Sequence, residues 1–373
     1  MLSTSFSATI LSTILFIPAI ILIHRYRSNS IQNFPPGPSP LPILGNLHQI
    51  PLQKAFLQFT KWSQQYGEIF GLHFGAKKVV VLNSWRAVRD LFDQRGAIYS
   101  SRPDIPLLEF VVPDNAHVAG MKYDKAWRRG RSMTMSFLKD EELRKLLPIQ
   151  DAESTQMLWE ILQDPAMYHS HVMRQFCAVI LASVYGQRGQ RKRTEEFSSI
   201  QGEWAGLMDP GAFPPLDVFP WLKYVPSIMT PWPGWRKRAA DLHKRQSGFY
   251  KELFDEAKIK VGLGYGKEMF VGKLLEKQDK EGFSNTELVY IAGFLIEAGA
   301  DTTANTLLVF ILAMAAFPEI QRKAQAEVDS VFTSEKMPQG IDFESENLPY
   351  LQALYWEVSQ AFCFLMHITA DTC

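Results

Sequence analysis

Two acids, two adjacent threonines and several small residues interrupt an apolar run in IEAGADTTANTLL, residues 296–308. Ala298 and Thr302 stand four apart and so share a helix face, where the small side chain of Ala298 leaves room for something flat. The Thr302 hydroxyl can donate back to the carbonyl of residue 298, and Gly299 beside it makes the helical ladder easy to loosen. Asp301 adjoins that hydroxyl, so an acid and an alcohol together can pass protons from solvent towards the groove. A capped or water-filled irregularity without chemistry would use the same residues. A second pair is Trp127 and Arg131 in KAWRRGRSM, 125–133. Four residues at ~1.5 Å set them about 6 Å apart on one face, where an indole N–H and a guanidinium can hold one carboxylate. Taken alone, a surface arginine over a packed tryptophan is the plainer reading. The histidines of YHSH, 168–171, stand two apart, point to different sides of a helix, and read as a surface helix start, not a metal site.

The central residues need a long helix to carry them. Ser284-Asn285-Thr286-Glu287 is a capping-box pattern, and apolar character runs from Leu288 to Phe317 before Pro318. Thirty residues reach about 45 Å, enough to cross a bilayer. An aspartate near the middle of such a span costs about 2.5–3.5 kcal/mol, which favours a buried core helix. Upstream, 52–67 has helical periodicity with Phe56, Phe59 and Trp62 near one face, and EIFGLHFGAKKVVVLNS reads as a hairpin. Ser84 then caps a helix running WRAVRDLFDQRG, and after about residue 115 the chain reads as helices with polar or proline-rich joints. The fold class is mainly α with a small N-terminal β-sheet, in one domain over 51–359.

Composition narrows the function classes. With 46% hydrophobic residues in 373, a sizeable core can form and disorder is not expected. Lys and Arg (39) balance Asp and Glu (39), so nothing points to nucleic acid, and the basic RGQRKR at 188–193 reads as a solvated loop. Three cysteines, Cys177, Cys363 and Cys373, form no disulfide or zinc pattern and suit a reducing compartment. From Leu2 to Ile23 no side chain is charged, and Arg25 and Arg27 follow. That reads as an uncleaved membrane anchor over 1–24 in preference to a cleaved signal sequence, which would have a basic start and a shorter apolar region, and the positive-inside rule then leaves the bulk of the chain cytosolic. Residues 25–50 form a basic, proline-rich hinge, a semi-rigid spacer. In 209–235, Phe213, Phe219, Trp221 and Trp232 either meet the membrane interface or pack on the domain.

In its motifs and their order the chain resembles the cytochromes P-450, haem-thiolate monooxygenases, of the membrane-anchored microsomal type abundant in fungi. AGADTT (298–303) resembles the family's oxygen-groove signature; PPGPSPLPILGNL resembles its hinge, YSSRP (99–103) the segment after its first sheet, and LPYLQALYWEVS (348–359) the start of its Glu-x-x-Arg helix. The resemblance implies a cytochrome P-450 fold, haem b, NADPH electrons through a flavoprotein reductase, and membrane lipid as a partner. It further implies a single-pass location in the endoplasmic reticulum membrane and insertion of one oxygen atom from O2 into a small lipophilic substrate. Asp301 and Thr302 would be the acid–alcohol pair delivering protons to the reacting oxygen. Ala298 and Gly299 would line the groove over the haem, and Trp127 and Arg131 would bind a haem propionate. Substrate contacts are expected from 107–120, from 209–235 and near Phe294. The likeness ends near residue 359: Glu357 is followed three residues on by Gln360 where the family has arginine, and 360–373 is unlike the family. No match is found to Phe-x-x-Gly-x-Arg-x-Cys-x-Gly, whose cysteine ligates the iron, and neither Cys363, Cys373 nor His367 is assigned that role. The chain is therefore expected to be a truncated monooxygenase, with a non-catalytic membrane-anchored binding protein as the alternative.

Overall fold

The computed structural model describes residues 34–332, 338–344 and 347–369. The expected anchor, the first part of the hinge and the end of the tail lie outside the described residues. The chain divides into two compact units, one holding residues up to Ser100 with Pro215–Lys223, the other holding the rest.

In the first unit, α1 (Ala55–Tyr66) lays Trp62 against an antiparallel hairpin of β1 (Ile69–Phe74) and β2 (Lys77–Leu82). Phe70 and Leu72, two apart on one face of β1, are fully buried, and Phe59, Trp62 and Phe70 stack with centroids near 6 Å. The turn falls at Gly75, whose φ of +60° suits glycine. The proline-rich run is built onto this sheet from Phe34 onward. The Gly71 N–H donates to the Pro36 carbonyl, while buried Asn46 donates to Pro38 O and accepts from His73 N–H. Ser84 caps as expected, accepting from Ala87 N–H, but the helix after it breaks into Trp85–Val88, a wider turn over Arg89–Asp93, and Gly96–Tyr99.

The second unit is helical: α2 (Lys125–Phe137), α3 (Leu147–Gln163), α4 (Tyr168–Tyr185), α5 (Arg191–Met208), α6 (Trp235–Gly262), α7 (Phe270–Glu281), α8 (Asn285–Ala316), α9 (Pro318–Val331) and α10 (Pro349–Thr369). The Ser284–Glu287 capping box forms with both of its bonds, and Pro318 opens α9. Among the described residues α8 is long and apolar enough to cross a membrane. It packs against α2, α4, α6, α7, α9 and α10. Leu288, Tyr290–Gly293, Leu295 and Ile296 are buried, whereas beyond Asp301 only Ala304 and Met314 are. Arg129 of α2 donates to the carbonyls of Glu281 and Gly282 and to the Glu287 carboxylate, locking α2 onto the start of α8. Glu327 of α9 accepts from the Tyr350 and Leu351 amides at the start of α10, where a carboxylate meets the positive helix end.

Several local expectations shift. YHSH does open a helix, but His171 is buried, its Nε2 3.0 Å from the Asp164 carbonyl, so it is a core histidine. Among the described residues no group of three or more His, Cys, Asp or Glu side chains is placed to hold a metal ion. The basic run 188–193 is not a solvated loop throughout, since Arg193 lies in the first turn of α5 and pairs with Glu256 and Glu252 of α6. In 209–235, Phe213, Phe219 and Trp232 are half-buried and Trp221 is exposed.

Candidate functional site

Helix α8 passes through Ala298–Thr303 as an unbroken α-helix. Thr302 Oγ1 donates to Ala298 O at 2.7 Å, the back-bond expected from the spacing, and Thr306 Oγ1 repeats it to Thr302 O at 3.0 Å. Ala298, Thr302 and Thr303 are exposed, with Ala300 and Ala304 buried on the opposite side. The threonine face, with Thr306, opens on an apolar cavity of about 590 Å3 whose other walls are Phe176, Phe310, Phe343 and Tyr355. The threonine wall is thus hydroxyl-bearing, and the rest is mostly ring and hydrocarbon, with Tyr355 and Ser359 adding hydroxyls from α10.

Asp301 lies one residue, about 100° of helical turn, from Thr302. It lines a different cavity, of about 630 Å3, between α4 and α5, together with His169, Ser170, Ser198, Gln201 and Trp204. Burial raises the Asp301 carboxyl above the ordinary carboxylate value, and the nearby His169 works against that rise. The two proposed proton-handling side chains therefore face separate spaces, joined through the helix backbone between them. Gly299 is half-buried and meets α4: a Cβ there would come within 2.8 Å of Ile180 Cδ1. Its value is close helix approach.

On α2, Asp124 caps the helix by accepting from Trp127 N–H at 2.9 Å. The Arg131 guanidinium carbon sits 5.5 Å from the centre of the Trp127 ring, so the pair shares a face as the spacing required. Trp127 packs in turn on Tyr123, with centroids 5.0 Å apart. Arg131 is exposed and makes no ion pair among the described residues, unlike Arg129 two residues before it. A guanidinium over an indole with no carboxylate of its own can accept one from a ligand. A Cβ at Gly130 between them would meet Ile291 on α8 at 3.6 Å, an ordinary contact. Glu357 on α10 is exposed and has no ion pair among the described residues, and Gln360 is exposed as well.

Sequence reasoning missed the best-satisfied acid of the region. Glu297, 9% exposed, lies 2.6 Å through Oε2 from His117 Nε2 and accepts through Oε1 from Gln246 at 3.0 Å and from the Tyr250 hydroxyl. Burial, and then the charge of Glu297, push the phenols of Tyr185, Tyr250 and Tyr290 up, so they remain neutral. The signal available was a carboxylate in an apolar run. Its partners, 47 to 180 residues away, carry no local pattern.

A family model, Cytochrome P-450, matches residues 35–358. A cytochrome P-450 monooxygenase of Armillaria gallica is 36% identical over 357 residues, covering 95% of this chain and 66% of that protein. One from Arthrobotrys oligospora is 32% identical over 334 residues, covering 87% and 62%. One from Aspergillus terreus is 30% identical over 355 residues, covering 94% and 65%. The chain thus spans a little under two thirds of the length of these relatives.

Proposed function

The chain belongs to the cytochrome P-450 family, and from that premise we propose that the whole protein is a haem-dependent monooxygenase placing one oxygen atom from O2 into a small lipophilic substrate. Its electrons would come from NADPH through a flavoprotein reductase, at the endoplasmic reticulum membrane. The observation that carries this reading is the open threonine face of α8 on an apolar cavity, with the Thr302 hydroxyl held by Ala298 O. The haem would supply the oxygen-activating chemistry.

The residues present fit such a group on one face and one edge. Ala298 is a small exposed residue on the threonine face, whereas Gly299 is turned to Ile180 of α4, and Arg131 over Trp127 is a carboxylate receptor without a carboxylate of its own. Among the described side chains the cysteine is Cys177, whose thiol burial pushes up to about 12, so it serves as core and not as a thiolate ligand.

The chain's own part is proton handling. Thr302 can give its proton by turning away from Ala298 O and regain one through its lone pairs, with the helix losing only a side-chain bond. Asp301, raised by burial, holds its proton nearer to neutral pH than an exposed carboxyl does and faces a cavity of mixed lining through which protons would arrive. The apolar walls around Thr302 favour a lipophilic substrate.

Titrating the full chain with haemin tests the reading. Saturable, equimolar quenching of tryptophan fluorescence is expected, weakened about tenfold or more by Arg131→Ala and partly by Trp127→Phe. Binding that is non-saturable, or indifferent to Arg131, removes the propionate assignment.

A further inference from the structure

Residues 113–120 form a loop without regular strand pairing, yet the loop is held at several points. Val111, Val112, Ala116 and Val118 are buried, and the Val111 carbonyl lies 2.7 Å from His243 Nδ1 of α6. Asp114 sits in the left-handed region, φ 54° and ψ 22°, which aspartate tolerates better than most residues with a Cβ. Three residues further on, His117 reaches the central helix. Its ring lies nearly parallel to Trp204 of α5, 15° between planes and centroids 5.8 Å apart, and edge-on to Phe294 of α8 at 5.7 Å. Its Nε2 bonds Glu297, whose other oxygen is taken by Gln246 and Tyr250 of α6. One histidine thus joins the loop to α5 and α8 directly and to α6 through Glu297.

Glu297 and Asp301 are four apart and occupy one side of α8. Trp204, the ring on which His117 lies, is a wall of the same cavity that Asp301 lines. We infer that His117 and Glu297 are a positioning pair: their bond pins the 113–120 loop to α8 and, through the stacked ring, fixes Trp204 as the wall that limits access to the Asp301 cavity. A buried bond to a carboxylate is among the stronger contacts available to such a loop. Nothing in the contact set depends on haem, and its test reads no haem chemistry, so failure of either reading leaves the other standing.

The test uses hydrogen exchange of the full chain read by mass spectrometry. The Gly120 and Met121 amides donate to the His117 carbonyl and report on the loop directly. His117→Phe keeps a flat ring for Trp204 and removes the bonding nitrogen. It should speed exchange at these two amides at least tenfold, a factor equal to about 1.4 kcal/mol, and leave α4 unchanged. Glu297→Gln, which keeps the length and an acceptor oxygen, should stay within threefold of the parent, whereas Glu297→Leu should match the phenylalanine variant. Acrylamide quenching of Trp204, taken as the difference from Trp204→Phe, should at least double in His117→Phe. Parent-like loop exchange or unchanged Trp204 quenching in His117→Phe, equal loss in the Gln and Leu variants, or equal loss across α4 would each overturn the inference. Because His117→Phe leaves the carboxylate its two other donors, its folding does not hinge on the Glu297 variants.

Discussion

Two glycines of α8, six residues apart, ought to respond very differently to the same substitution. A Cβ at Gly293 would lie 2.6 Å from Tyr250 Cδ2, 2.7 Å from Cε2 and 2.9 Å from Cγ, all atoms of a rigid and fully buried ring. The ring cannot yield without leaving Glu297, to which its hydroxyl donates. Overpacking of this kind costs about 3 kcal/mol at its upper range, and a lost bond to a charged acceptor adds about 2. Replacing glycine by alanine inside a helix returns about 1 kcal/mol. Gly293→Ala should therefore destabilise by about 4 kcal/mol. At Gly299 the obstacle is Ile180 Cδ1 at 2.8 Å, the free end of a half-buried side chain that can change rotamer. There the strain should be near 1 kcal/mol and the helix-propensity gain should cancel it. Adding Ile180→Val removes the clashing methyl, so the pair should couple favourably by at least about 0.5 kcal/mol. Urea unfolding followed by far-ultraviolet circular dichroism measures all four forms. Equal effects at 293 and 299, or absence of coupling with Ile180, would show that the helices do not approach as closely as these distances require.

Other outcomes follow from the same contacts. Arg174, 4% exposed, bonds Glu153 and Glu160 at 2.7 Å each, and Arg174→Met should cost about 3–5 kcal/mol by stranding a buried carboxylate. Burial alone would raise the Glu160 carboxyl, but bonds from Gln156 and Arg174 outweigh it and hold it below the ordinary value. Its stabilisation is therefore present above the unfolded carboxylate value of about 4.3 and is lost as pH falls through the folded one, so the deficit of Arg174→Met should shrink in acid unfolding curves. Asp301 has the opposite sign: with its carboxyl raised by burial, it favours folding below the unfolded value and loses that contribution as pH rises through the folded one. Asp301→Asn should accordingly raise the melting temperature at pH 7 and lose that advantage near pH 4, as scanning calorimetry would register. Thr302→Ala should leave stability within about 0.5 kcal/mol, because the residue is exposed and its back-bond is local. Under the monooxygenase activity proposed for the whole protein, the same change should uncouple oxygen consumption from product formation, measured with an oxygen electrode beside product assay, and unchanged coupling would remove Thr302 from the role proposed for it.

What could be read from the chain beforehand, and what could not, follows the range of the interactions. The capping box at Ser284, the Thr302 back-bond, the shared face of Trp127 and Arg131 and the hairpin turn at Gly75 are all set within four or five residues, where spacing alone decides geometry. The break in the helix after Ser84 was hidden because each fragment has acceptable local propensity; the wide turn at Arg89–Asp93 is visible only in the folded backbone. His171 looked like a surface residue because two of its partners, Asp164 and Glu160, lie on the preceding helix and the intervening turn. Separate cavities for Asp301 and Thr302 follow from which helices pack on either side of α8, information no window of the sequence contains. Glu297 shows the consequence most plainly. Within its own helix it is a costly charge in an apolar run, and by itself argues only that the helix does not lie in lipid. Its cost is offset by donors from one loop and one other helix, and those donors fix the loop in turn. A buried charge whose partners are distant in sequence is thus better read as a demand on the tertiary structure than as a local motif, and the segment that answers the demand acquires its position from it.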